Sequence, residues 1–301
     1  MEMKTVEEKR RREFPDSLDG LKVVSENIGG STGVQLVEDR YGNRYIRKTG
    51  GTSGDEPDAH IQSESRADAF YQAVRINVPE FRMYDRGGRS VKLSRFVPDG
   101  QSLNEWWRTH PNPVEREEMI RKIRVGFGTD AMIGNWDVIG MNADNILIDA
   151  DGNPWRIDNG GSLDFRAQGA RKKKGDFGFV PTDIWSMRSS GNNRRFFSGI
   201  STRDALEQIV QTDWESAMAL LNNSESVIVC ERVRIACLLF DHYKAMENAG
   251  FSENRIEERL LRLIGNAKKS PCIPSVQSGE YISKQPEPAP DVQSAVPDEL
   301  Q

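Results

Sequence analysis

Residues 134–161 read GNWDVIGMNADNILIDADGNPWRIDNGG. The apolar runs ILI and WRI flank the turn-forming residues DADGN, so the stretch predicts a tight β-hairpin. Such a hairpin brings Asn145, at the start of its first strand, close to Asp158, just after its second. Magnesium prefers carboxylate and amide oxygens placed beside substrate phosphates. The sequence therefore predicts that Asn145 and Asp158 hold one magnesium ion.

A further carboxylate precedes the hairpin on a loop. Asp137 lies there, where it can accept a hydrogen bond from an acceptor hydroxyl group. Asp144, next to Asn145, is the alternative for the same task. For any single aspartate, a plain capping role in a turn is the simpler interpretation. The ordered set of Asp137, Asn145 and Asp158 around one hairpin favours a catalytic and metal-binding role over simple capping.

A glycine-rich segment lies far upstream, between the predicted strands 21–24 and 34–37. It contains Gly29, Gly30, Ser31 and Gly33, whose backbone N–H groups can approach phosphate oxygens closely. A simple hairpin turn is the alternative interpretation. The predicted return strand runs from Arg44 to Lys48, and period-two alternation puts Ile46 and Lys48 on one face.

The remaining pattern predicts an α+β fold. A helix is expected from Asp58 to about Val74, and two strands at 78–81 and 91–96. After a break at 98–100 the chain becomes mainly helical. The predicted helices cover residues 102–108, 114–132, 203–221, 225–248 and 252–266. Residues 161–202 show little periodicity.

The hairpin region resembles the catalytic and metal-binding loops of the protein-kinase-like superfamily. It is most similar to the actin-fragmin kinase, phosphatidylinositol kinase and HipA-like branches, and it also resembles kinase-like domains of phage-associated and bacterial effector-type proteins. The resemblance implies a bilobal fold, with a small β-rich N-lobe at 20–97 and a larger helical C-lobe at 98–267. A charged arm at 1–19 and a disordered tail at 268–301 would flank the lobes.

The resemblance also implies roles for single residues. Lys48 would contact the α- and β-phosphates of ATP, Glu64 on the following helix would pair with Lys48, and the segment 95–100 would meet the adenine. Asp137 would be the catalytic carboxylate, although the kinase pattern puts that aspartate five residues before the metal-binding asparagine. Here Asp137 precedes Asn145 by eight.

Two ways of aligning this loop remain. A three-residue insertion keeps Asp137 as the catalytic carboxylate, and otherwise Asp144 takes its place. The literal Asp-Phe-Gly at 176–178 follows a lysine run rather than a buried strand, so we do not assign it as the metal loop. No Ala-Pro-Glu occurs in 166–202, a departure from kinases of the ordinary peptide-modifying type.

The predicted function is an ATP- and Mg²⁺-dependent kinase that transfers the γ-phosphate to a hydroxyl acceptor. A protein acceptor is favoured, and lipid or small-molecule acceptors are alternatives. Two other hypotheses stay open. One is different nucleotide chemistry on the same fold, by transfer of AMP or ligation of glutamate. The other is a non-catalytic nucleotide-binding module that binds a partner through its basic segments 171–174 and 194–197.

Composition limits the remaining classes. The 301 residues carry a net charge of −5, which gives no sign of a nucleic-acid binder. Three cysteines without a CxxC pair argue against a disulfide framework or a zinc cluster, and Cys230 and Cys237 are expected on a core-facing helix stripe. No apolar run is long enough to span a membrane, and no secretory signal is visible. We expect a cytoplasmic, reducing environment, and a signal-independent delivery into a host cell is compatible with the sequence.

Overall fold

Alternating apolar and polar residues build an antiparallel sheet in the first hundred residues. The computed structural model describes residues 13–26, 34–189 and 191–269, with side chains as far as residue 266. The five strands lie in the order β1-β2-β3-β5-β4. They are β1 (Lys22–Glu26), β2 (Gln35–Glu38), β3 (Arg44–Lys48), β4 (Phe81–Asp85) and β5 (Ser90–Arg95).

The two faces of this sheet have different environments. Tyr45 of β3 and Leu93 of β5 belong to a small apolar cluster on one face, together with Val37 of β2. Lys48 lies directly opposite Lys92 in the pairing of β3 with β5. Because side chains alternate along a strand, both lysines lie on the opposite face from Tyr45 and Leu93. Helix α1 (Pro57–Ala73) contacts β5, and the lysines are bonded to its acidic residues.

A second, three-stranded sheet carries the predicted hairpin. Strand β6 (Gln101–Ser102) pairs with β7 (Ile146–Ile148), which pairs with β8 (Pro154–Arg156). Helices make up the rest of this part of the chain, and most of them contribute to one large apolar cluster. They are α2 (Leu103–Thr109), α3 (Pro113–Arg124), α4 (Phe127–Met132), α5 (Asp183–Ser189), α6 (Asn193–Phe197), α7 (Thr202–Gln211), α8 (Glu215–Met218), α9 (Asn223–Asn248) and α10 (Glu253–Lys269).

The single helix predicted over 114–132 is wrong, because the chain breaks between α3 and α4. The guanidinium group of Arg156 lies against Gly126, where an added Cβ would come within 2.6 Å of Nη2. The same Nη2 donates to the carbonyl oxygen of Ile123 at 2.9 Å. The buried Arg156 side chain therefore binds a carbonyl oxygen at the end of α3. The local sequence periodicity could not predict this helix end, because the contact comes from a distant part of the chain.

Other differences are smaller. The strand expected at 78–81 begins only at Phe81, and the helix expected over 203–221 is divided into α7 and α8. Helices α5 and α6 form in the aperiodic segment 161–202. Cys230 is exposed, so its expected core-facing placement is wrong, whereas Cys237 is of intermediate exposure.

The mixed α+β class is as predicted, with a small antiparallel sheet followed by a mainly helical part. The described residues as far as Lys268 belong to one compact unit. Most of the predicted arm and all of the predicted tail beyond residue 269 lie outside the described residues. Within the described ranges, no helix is both long and apolar enough to cross a membrane.

Candidate active site

Lys48 is the point at which three separate elements meet. It ends β3, and its ammonium group is bonded to both carboxylate oxygens of Glu64 on α1, at 3.0 and 2.8 Å. It also forms an ion pair with Asp158, which follows β8. The ion pair that the resemblance implies between Lys48 and Glu64 is thus present. Burial by itself lowers the pKa of Lys48, but the charges of Asp158 and Glu64 outweigh it and raise that pKa.

A second lysine supports the same glutamate. Lys92 donates to Glu64 Oε1 at 2.5 Å and to Asp68 Oδ2 at 2.6 Å. All four side chains of Lys48, Lys92, Glu64 and Asp68 are buried. Burial raises the pKa of Glu64, but the two ammonium groups prevail and lower it. Burial raises the pKa of Asp68, and the charge of Lys92 opposes this only in part.

The charges in this cluster do not cancel. The ammonium groups of Lys48 and Lys92 face three carboxylates, those of Glu64, Asp68 and Asp158. One negative charge is therefore in excess at the end where Asp158 reaches solvent. The Asp158 side chain is 32% exposed, whereas the other four are 6% or less. A cation that approached from solvent would meet Asp158 first.

The backbone at Asp158 is fixed in an uncommon conformation. Asp158 has a φ of 54° and begins the 3₁₀ turn Asn159–Gly161. Aspartate tolerates this left-handed region better than most residues do. Gly160 lets α1 approach, because a Cβ there would come within 2.7 Å of His60 Nε2 and 3.0 Å of Glu64 Oε2. The turn is thus in direct contact with α1.

His60 joins this turn to a second loop. Its Nε2 lies 3.0 Å from the carbonyl oxygen of Gly160, and its Nδ1 accepts from the N–H of Gly51 at 2.8 Å. These two contacts fit a neutral imidazole that carries its proton on Nε2. The side chain is fully buried, and this burial lowers the pKa of His60.

Asp137 and Asn145 lie at the two ends of a folded loop. Two backbone hydrogen bonds fold this loop. The Gly140 N–H donates to the Asp137 carbonyl oxygen at 2.9 Å, and the Asn145 N–H donates to the Ile139 carbonyl oxygen at 3.4 Å. The side-chain amide of Asn145 then donates to Asp137 O at 2.7 Å and to Asp137 Oδ2 at 3.2 Å. Gly140 has a φ of +77°. The eight-residue separation is therefore compatible with close contact.

Asp137 is also close to the turn that follows Asp158. A Cβ added at Gly161 would lie 3.2 Å from Asp137 Cβ. Burial, followed by the charge of Asp158, raises the pKa of Asp137 to about 6, against the opposing hydrogen bond from Asn145. Asp144, the sequence alternative, is exposed. The structure thus brings Asp137, Asn145 and Asp158 to one place.

The residues before Asp137 are held by several contacts. Trp136 Nε1 donates to Asp183 Oδ1 at 2.5 Å, and the Asn193 amide donates to the Trp136 carbonyl oxygen at 2.8 Å. Lys172 lies 4.6 Å from the centre of the Trp136 ring and donates to the Gly134 carbonyl oxygen at 2.6 Å. These contacts fix the direction in which Asp137 leaves the loop.

An open cleft of about 520 Å³ borders Asp137. Its other walls are formed by apolar and amide side chains, among them Trp136, Met141, Met187 and Asn192. Asp137 is the one charged side chain among the described residues that line it. The cleft is the place from which a hydroxyl-bearing molecule could reach the Asp137 carboxylate.

Asn145 and Asp158 fit a magnesium ion that comes with a nucleotide. The Asn145 amide nitrogen donates to Asp137, so its oxygen is left for a ligand, and Asp158 adds a partly exposed carboxylate. No group of three or more His, Cys, Asp or Glu within the described part could hold a metal. Magnesium usually completes its shell with phosphate oxygens and water, so two protein ligands suffice.

Four of the predicted site residues are not among those the structure describes, and four residues of the site were not predicted. Gly29, Gly30, Ser31 and Gly33 fall outside the described residues. Lys92, Asp68, Asn159 and His60 were not predicted. Helical spacing could have indicated Asp68, which lies four residues after Glu64 and hence on the same face of α1.

Comparisons with known proteins give no assignment of their own. No family model matches the sequence, and none of the curated proteins matches it.

Proposed function

We propose that the chain is an ATP- and Mg²⁺-dependent phosphotransferase with a bilobal, protein-kinase-like fold. The observation that carries the proposal is the Lys48 ammonium group, which is shared by Glu64 and Asp158. A buried lysine held against a glutamate, with a solvent-reaching carboxylate beside it, suits the binding of phosphates and their metal. The order of elements supports the bilobal fold, since a sheet with one helix precedes a helical part with an inserted hairpin.

Each residue of the site has a distinct task in this proposal. Lys48 binds phosphate oxygens as a point charge, and Glu64 sets its direction. Asn145 and Asp158 hold Mg²⁺, which would neutralise charge on the transferred phosphoryl group. Asp137 accepts a hydrogen bond from the acceptor hydroxyl in the neighbouring cleft.

The geometry favours Asp137 over Asp144 as the residue that orients the acceptor. Asp137 is bonded to Asn145, lies against Gly161 and borders the cleft, whereas Asp144 is exposed on the outside of the loop. The pKa of Asp137 is raised to about 6, which brings its carboxyl group nearer to the range in which proton transfer is efficient.

The experiment compares two labelled forms of ATP. The purified protein is incubated with Mg²⁺ and either γ-labelled or α-labelled ATP, alone and with a host-cell lysate. Transfer of the γ label alone supports the kinase. Transfer of the α label would indicate AMP transfer on the same site. If ATP binds but neither label moves, the chain is a nucleotide-binding module and the proposal is wrong.

A further inference from the structure

A chain of buried polar side chains crosses the molecule beneath the site. Lys92 Nζ donates to Asp68 Oδ2 at 2.6 Å, and the Asn159 amide donates to Asp68 Oδ1 at 2.8 Å. The Asn135 amide in turn donates to Asn159 Oδ1 at 3.1 Å. Each of these four residues is at most 4% exposed. A strand, a helix, the turn after Asp158 and the loop before Asp137 are thereby joined.

The chain continues into the helical part. The Asn135 amide also donates to Tyr71 Oη at 3.0 Å, and that hydroxyl donates to Asp130 Oδ1 at 2.7 Å. Asp130 accepts two hydrogen bonds from Arg156, at 2.8 and 2.7 Å. Arg156 belongs to β8, two residues before Asp158. Both ends of the metal loop are therefore tied to one network.

The direction of every bond in this network is fixed. The Asp68 carboxylate can only accept, so Asn159 must turn its NH₂ group towards Asp68 and its oxygen towards Asn135. Asn159 is the residue after Asp158, and Asn135 is two residues before Asp137. A change in the Asp68–Asn159 contact therefore acts on the turn that orients one site carboxylate and the loop that carries the other.

Such a network is costly to bury. Apolar side chains of similar volume often give equal or greater stability than a buried ionic group, so stability alone does not require this one. The Asn135 Oδ1 atom is buried without a partner, and removing a further partner would leave more buried polar groups unpaired, so the members of the network are energetically coupled. Directional bonds can hold two loops in one relative arrangement, which apolar contacts do less well.

We propose that Asp68, Asn159 and Asn135 are positioning residues that fix the Asp158 turn against the Asp137 loop, with Lys92 as the anchor in the sheet. Their meaning for catalysis rests on the proposed function, but the effect on the turn can be measured without it. None of them is in contact with the nucleotide in this proposal. They act through the placement of Asp158 and Asp137.

The decisive experiment exchanges the two partners. Asn159→Asp places two carboxylates in contact and leaves Asp68 Oδ1 without its donor, while Lys92 still donates to Oδ2. Asp68→Asn removes the carboxylate that Lys92 and Asn159 share. In the double variant Asp68→Asn/Asn159→Asp the three hydrogen bonds can form again, and only the bond between 68 and 159 has its donor and acceptor exchanged: residue 68 donates to 159 and still accepts from Lys92, now without an ion pair, and 159 still accepts from Asn135.

Two readouts follow the turn and the site separately. Hydrogen exchange of peptides covering 156–163 reports the turn, and Mg²⁺-dependent ATP affinity and turnover report the site. We expect Asn159→Asp to speed local exchange and to lower turnover by about 100-fold, at the upper range of couplings within one network. The double variant should recover local protection and come within about 10-fold of wild-type turnover.

Ser201→Ala is the matched control for a general loss of stability. It removes the N-cap of α7, where the Ser201 hydroxyl accepts from the Asp204 N–H at 2.9 Å, and it lies in a different part of the chain. It should lower the melting temperature and leave exchange at 156–163 and turnover unchanged.

Three results would overturn the inference. They are unchanged exchange at 156–163 in Asn159→Asp, a double variant as impaired as Asn159→Asp, and loss of turnover in Ser201→Ala that matches its loss of stability. If the wild-type protein fails to bind Mg·ATP, the proposed function falls. The exchange measurements then still decide whether the network fixes the turn.

Discussion

Asp137→Asn should make the protein more stable at alkaline pH while it removes catalytic function. Burial and the charge of Asp158 raise the pKa of Asp137 from 3.8 to about 6. The folded state therefore binds this proton more tightly than the unfolded state does. As pH rises above 3.8, the unfolded chain loses the proton first, so folding becomes less favourable until the pH exceeds about 6.

The size of the effect follows from the pKa difference of about two units. At about 1.4 kcal/mol for each unit, the ionised carboxylate costs the folded state at most about 3 kcal/mol near pH 8, and about half of that near pH 5. The side chain is partly accessible, so a measured value of about 1–2 kcal/mol near pH 8 is expected. Asparagine removes the charge and keeps an oxygen that can accept from Asn145.

Urea unfolding without divalent ions, near pH 8 and near pH 5, measures this difference. Asp137→Asn should be the more stable protein at both values, with the larger gain near pH 8. A gain of 1 kcal/mol corresponds to about 2–4 °C in melting temperature for a domain of this size. A variant that is less stable than wild type near pH 8, or a gain that is equal at both pH values, would refute the assigned electrostatics.

Three further predictions test other contacts of the site and the fold. Lys48→Met should weaken Mg·ATP binding about 10-fold or more, since it removes the phosphate-binding charge; calorimetry that finds wild-type affinity would exclude this role. Gly126→Ala should cost about 1–3 kcal/mol in urea unfolding, because the added methyl group would lie 2.6 Å from Arg156 Nη2. The control Gly265→Ala lies inside α10, where an added Cβ has nothing within 4 Å, and it should stabilise by about 0.5–1 kcal/mol. Burial lowers the pKa of His60, so its contribution to stability is present above its ordinary pKa of 6.5 and is lost as pH falls below that value. His60→Asn should lack this loss, and an equal fall in the free energy of unfolding of both proteins at acidic pH would contradict it.

The hairpin and the residues at its ends could be predicted because the signals are local. Two apolar runs around a turn are enough to bring Asn145 and Asp158 to neighbouring positions, and the Ile157 N–H is indeed bonded to the Asn145 carbonyl oxygen at 2.9 Å. Period-two alternation likewise put Lys48 on the correct face of its strand.

The buried network could not be predicted in the same way. Asn159 and Asp68 are 91 residues apart in sequence, and nothing in the local pattern around either one indicates the other. Lys92 is part of an ordinary strand pattern, in which a lysine is most often exposed. Its burial depends on where α1 packs, which is a property of the tertiary structure. The break between α3 and α4 at Gly126 likewise depends on a tertiary contact, with the Arg156 guanidinium group of β8.

Transfer of the γ-phosphate by the wild-type protein and by Asp158→Ala tests the proposed activity most directly. Both proteins are incubated with γ-labelled ATP and a heat-inactivated cell lysate, in the presence of Mg²⁺ and again with a chelator. We predict labelled product from the wild-type protein with Mg²⁺ only, and none from Asp158→Ala, which has lost the exposed carboxylate beside Lys48. Equal labelling by both proteins, or no labelling by the wild-type protein under either condition, would contradict the assignment of this site as a phosphotransferase centre.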